Sequence, residues 1–179
     1  PRLGQCTPMR ILCKLLLTWL AVLLPQAAAA QITVHFYSHE LGNNFPHAFL
    51  VVEGRPQAGG ASVDASYGFT AKAVTPAMLM GSVAGHVEPA KPHYIRRSDR
   101  KFSLALNDAQ YAALMAVVNR WRTLPGKSYN LNTRNCTHFI GEAAAAIGLK
   151  VVFDKAQLKR PRSYQENVIR LNPGLAAAR

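Results

Sequence analysis

Polar and apolar residues alternate in QITVHFYSH, where Ile32, Val34 and Phe36 are set against Thr33, His35 and Tyr37. A period of two sends successive side chains to opposite faces, so the pattern predicts a half-buried strand over residues 31–39. ELGNNFP, at 40–46, is punctuated by glycine, two asparagines and proline and reads as loop. HAFLVVEG, at 47–54, is apolar on both faces, the mark of a central strand. RPQAGG then predicts a hairpin connection, and ASVDASYGF, at 61–69, the returning strand.

Thr75 stands before PAMLM and predicts a short helix, with Thr75 as cap and proline at its first position. HYIRRSDRKFSLAL, at 93–106, reads as one or two strands with a charged face. The next segment switches period. Tyr111, Leu114, Met115, Val118 and Trp121 form a helical stripe, opened by Asn107 with Gln110 as its capping-box partner and stopped by Pro125 and Gly126. A second helix is predicted over 135–147, with Gly148 as its C-terminal stop. KVVF at 150–153 reads as strand or loop, 163–174 as a last helix or turn, and the terminal LAAAR as frayed. No internal repeat or linker interrupts the pattern. The fold class expected is α+β, an antiparallel sheet packed against helices in a single domain over 31–179.

Residues 1–30 change the picture. Arg10 and Lys14 follow Met9, an apolar run spans 15–24, and Pro25 leads into alanines, the layout of a signal peptide cleaved after Ala30. Residues 1–8 then read as a start placed too early. Removing the leader takes away Cys6 and Cys13, leaving Cys136 as the only thiol, and lowers the formal charge from +12 to +9. An exported chain with one cysteine cannot form an internal disulfide, so the thiol is buried, paired between chains or functional. The expected location is periplasmic or secreted, with no integral membrane segment after processing. The excess of cations suits an anionic envelope surface. Nucleic acid is not expected as a partner, because the basic residues are scattered without interleaved aromatics.

Cys136 falls where the polar run NLNTRN meets an alanine-rich helix. Free N–H groups and the helix dipole at such a start favour an anion, lower a thiol pKa and can face a developing oxyanion. Asn132 and Asn135 are candidate donors beside it, or simple caps. A cysteine nucleophile needs a base. His138, two residues on, projects from a different side of the helix. His47 opens an apolar strand directly after a loop, a suitable place to hold a polar group at the rim of a core. Metal chemistry is not indicated: there is no HExxH motif or cysteine pair, and His35 and His39 stand roughly 13 Å apart on a strand. A serine hydrolase lacks its G-x-S-x-G, and no cofactor is expected.

FPHAFLVV, followed much later by YNLNTRNCTHF, resembles the circularly permuted branch of the papain-like superfamily. That branch holds NlpC-type peptidases, PPPDE-type isopeptidases and lecithin retinol acyltransferase-like enzymes, and its histidine strand comes before its cysteine helix. Tyr129, Leu131, Asn135, Cys136 and Phe139 are similar to the PPPDE cysteine motif. The resemblance implies Cys136 as nucleophile, His47 as general base, and Asn135 with the Cys136 amide as the oxyanion region. It also implies a polar residue that orients the histidine from a neighbouring strand. Asp64 is the first candidate and Ser66 the second, on the expectation that the hairpin brings both to the His47 end; a bare dyad is the remaining option. The function expected is an exported cysteine peptidase or amidase acting on peptidoglycan-like peptides. The alternatives are an acyl or lipid hydrolase or acyltransferase on the same dyad, and a non-catalytic papain-like binding module. The residues leave the oligomeric state open.

Overall fold

The computed structural model describes residues 31–40 and 46–178. The expected leader and most of the 40–46 loop lie outside them. Five strands form one antiparallel sheet: β1 (Ile32–His39), β2 (His47–Gly54), β3 (Val63–Ala71), β4 (Gly85–Glu88) and β5 (Asp99–Leu106). Their order is β4-β3-β2-β1-β5, so β2 is central, as its two apolar faces require. The helices are α1 (Ala77–Met80), α2 (Pro92–Arg96), α3 (Asp108–Arg122), α4 (Cys136–Ala146) and α5 (Pro161–Leu171), with a 3-10 turn at Pro173–Ala178. The class is α+β, and none of the described helices is long and apolar enough to cross a membrane.

One face of the sheet carries the core. Val34 and Phe36 of β1, Leu50 and Val52 of β2 and Phe69 of β3 pack against Leu114, Val118 and Trp121 of α3 and Phe139 and Ile140 of α4. The capping box of α3 forms as its sequence predicts, Asn107 Oδ1 accepting from Gln110 N–H at 2.9 Å and Gln110 Oε1 from Asn107 N–H at 3.1 Å. Gly148 stops α4 at φ +95°, a conformation that glycine adopts without strain.

Two local readings are corrected and one is decided between its alternatives. Thr75 makes no side-chain cap; Pro76 occupies the N-cap of α1. Residues 150–153, read as strand or loop, are loop. Residues 93–98 are not strand: Pro92 starts α2, and only from Asp99 does β5 begin. That last difference has a topological cause. β4 and β5 lie at opposite edges of the sheet, so residues 89–98 must cross from one edge to the other. They cross the face opposite the core, where Tyr94 packs on His39 and Phe49. This strap is pinned at both ends. Ala90 N–H donates to Ser66 Oγ on β3 at 2.8 Å, and Ser98 Oγ pairs with His39 Nδ1 on β1 at 2.9 Å.

Candidate active site

The β2–β3 ladder ends at Leu50↔Tyr67, while β2 continues against β1 to His39↔His47. β3 meanwhile runs on from Gly68 to Ala71, paired with β4. His47, Ala48 and Phe49 therefore have a strand partner on one side only, and a fork opens between β2 and β3. The first turn of α4 meets the sheet here: the Ala48 N–H lies against the Cys136 sulfur.

Asn135 holds that turn in place. Its Oδ1 accepts from Thr137 N–H at 2.9 Å and His138 N–H at 3.3 Å, and its own N–H reaches His138 Nδ1 at 3.3 Å. Its two amide hydrogens go to Leu131 O at 2.8 Å and Leu158 O at 2.9 Å. Every polar atom of this buried side chain is committed, so Asn135 is a cap with no hydrogen left for an oxyanion. This corrects its expected role. Asn132 is exposed, and its N–H turns back to Asn130 Oδ1. His138 is taken up by the cap, consistent with its exclusion as base.

Cys136 is 4% exposed. Burial pushes its thiol above the ordinary range, against the pull of the Ala48 N–H, the Thr137 hydroxyl and the Thr137 and Cys136 amides. The helix start therefore does favour the anion, but desolvation outweighs it, and the resting thiol is neutral rather than the expected thiolate. His47 is not among the hydrogen-bonding neighbours of the sulfur. Its ring stands on the strap side of the sheet over Gly68, 6.1 Å from the Phe49 ring and 6.4 Å from that of Tyr94. Burial, and then the neighbouring His39, lower its pKa to about 4. Both members of the pair are thus neutral at neutral pH.

Asp64 does not join them. The hairpin register is Gly54↔Val63 and Glu53↔Asp64, which sets Asp64 opposite a residue six positions along β2 from His47, roughly 20 Å at the strand rise. It is exposed there. Ser66 pairs with Val51, and its hydroxyl anchors the strap. The reason is simple: residues closest to a hairpin loop pair with the end of the first strand, not its beginning. No described side chain hydrogen-bonds the His47 ring, and the neighbour that register delivers to it is His39.

A cavity of about 480 Å³ opens beside His47. Gly68, Thr70, Glu88, Lys91, Tyr94 and Tyr129 help line it. Cys136 is not on its wall, but two wall residues, Tyr94 and Tyr129, both feel the charge of a Cys136 thiolate. Burial, with Cys136 second, pushes the phenol of Tyr129 well above its usual range. Tyr94, Ala48, Thr137 and Gly68 were not singled out from the sequence. Each acts through a backbone group, an absent side chain or a non-periodic segment, and none of these leaves a pattern. Among the described residues, no cluster of three or more histidine, cysteine, aspartate or glutamate side chains could hold a metal ion. Comparison with family models, curated proteins and solved structures found no match for the chain.

Proposed function

We propose that the chain is an exported cysteine hydrolase of amide bonds, with Cys136 as nucleophile and His47 as base, acting on cell-wall peptides. The observation that carries this reading is the fork: the sulfur at the start of α4 lies against the amide of Ala48, the residue that follows His47, beside a cavity His47 helps to line. Its chemistry runs from a neutral pair. The imidazole takes the thiol proton as sulfur bonds to the carbonyl carbon. The carbon–nitrogen bond then breaks as the imidazolium returns that proton to the leaving amine, and water hydrolyses the thioester. With a pKa of about 4, His47 is unprotonated at neutral pH. The permuted papain-like resemblance, the leader-like first thirty residues and the positive charge support export and an envelope substrate. Glu88 and Lys91 on the cavity wall suit a substrate that carries both charges.

Cys136→Ala is expected to abolish release of peptide fragments from purified peptidoglycan, followed by mass spectrometry, with melting unchanged within a few degrees. Equal release by the mutant would remove Cys136 from the chemistry.

A second reading, an acyl hydrolase or acyltransferase on the same dyad, is favoured by one feature. Val74 lines the cavity and is 70% exposed, and Leu79 and Met80 of α1 are 70% and 90% exposed. Apolar surface at a cavity rim suits an acyl chain. A mass increase on Cys136 after incubation with short-chain phospholipid, absent with wall peptides, would select this reading over the first.

A further inference from the structure

Attack of a thiolate on a carbonyl leaves negative charge on the carbonyl oxygen, and that charge needs donors. Asn135 cannot supply one, because both its amide hydrogens are held by Leu131 and Leu158. The N–H groups of Ala48, Cys136 and Thr137 lie against the sulfur. Two phenols on the cavity wall, those of Tyr94 and Tyr129, have no hydrogen-bond partner among the described residues, and Tyr94 is the more exposed of them.

Tyr94 is carried by α2 at the middle of the strap. Its ring centre lies 4.2 Å from that of His39, 5.6 Å from that of Phe49 and 6.4 Å from that of His47. Contacts with three rings on two strands fix the ring while leaving its edge half-exposed toward the cavity. Burial, then the charges of Cys136 and Glu88, push its pKa to about 12. The phenol therefore keeps its proton at any working pH, on a cavity wall close enough to Cys136 to feel its charge.

We propose that Tyr94 is a catalytic residue that donates a hydrogen bond from its phenol to the oxyanion formed when Cys136 attacks the substrate carbonyl. The phenol stays protonated throughout. The thiol proton passes to His47 and on to the leaving group, so the balance of the reaction is unchanged. The inference rests on the hydrolase reading above and adds to it a donor from the strap, an element outside both the histidine strand and the cysteine helix.

The test uses the whole chain and p-nitrophenyl acetate, taking as signal the p-nitrophenol release that Cys136→Ala lacks. Tyr94→Phe keeps the ring and removes the hydroxyl. Its Cys136-dependent kcat is expected to fall about 100-fold, the usual effect of losing one oxyanion donor. KM is expected to change less than about threefold, since the bond forms only in the transition state. Alkylation of Cys136 by iodoacetamide, a displacement that makes no oxyanion, is expected to keep the wild-type rate. A kcat within about twofold of wild type overturns the proposal. So does a parallel loss of alkylation, which would make Tyr94 a packing residue. If wild type itself shows no Cys136-dependent release, the hydrolase reading fails and takes this inference with it; if release persists in Tyr94→Phe, only the inference fails.

Discussion

Gly68 matters for what it lacks. A Cβ built there would stand 2.7 Å from His47 Nε2 and 3.2 Å from Phe49 Cβ. The ring of His47 can lie over β3 only because that position is bare. The nearer obstacle is the end of a side chain that can rotate away, so the strain of a methyl would be relieved by moving the imidazole. Gly68→Ala is expected to lower kcat/KM for Cys136-dependent hydrolysis at least about tenfold, because misplacing a base by an ångström is costly. Unfolding free energy in urea is expected to change by less than about 1 kcal/mol. At this scale the sequence singled out rare residue types at the starts of elements. Cys136 was the one thiol outside the expected leader, and His47 stood at the start of an apolar strand. Asp64 was misplaced because its assignment needed the pairing partner of every residue between it and the hairpin, and composition does not encode register.

The elements separate into those announced by a period and those imposed by topology. β1 and α3 repeat a period over eight or more residues, while β2 is a continuous apolar run and α4 an alanine-rich one, each enough for burial to leave a trace. α2 is five residues long and is shaped by the need to cross the sheet, so its sequence read as strand. The cap of α4 shows how an element can be recognised and its residue's task still mistaken. An asparagine before a cysteine fits a cap or an oxyanion donor equally well. Only the carbonyls of Leu131 and Leu158, the latter 23 residues away, decide between them. Asn135→Ala would uncap the helix and strand the carbonyls of Leu131 and Leu158, the second of them buried, at about 2–4 kcal/mol. The melting temperature should drop accordingly, while protein still folded at low temperature keeps most of its Cys136-dependent activity. Lost activity with unchanged melting would instead assign Asn135 to the chemistry.

For the molecule as a whole, His47 links acidity to stability. The pKa of His47 falls from 6.5 to about 4 on folding. A group depressed in this way stabilises the fold fully above its unfolded value and loses that contribution as pH falls through its folded value. Urea unfolding should therefore show stability declining from pH 6.5 to pH 4, by about 2 kcal/mol for this partly exposed ring. His47→Gln should flatten that slope, and a slope equal to wild type would mean that other groups carry it. The fold class was legible at this scale, though β4 was not foreseen, because a few short strands and amphipathic helices allow few layered solutions. The fork was not, since it arises from two ladders ending at different points, a property of neither strand alone.

The strap also works as a gauge. Its ends are fastened to β3 and β1 by Ser66 and His39, so the span it must bridge is set by the width of the sheet. Its slack is set by the chain between those fasteners. Residues added to that arch would lift the Tyr94 wall away from His47 and deepen the chamber, leaving every strand pair as it was. Residues removed would lower it onto the ring. The size of molecule admitted is thus encoded in the length of one connection, a quantity that can drift without disturbing the frame on which Cys136 and His47 are mounted.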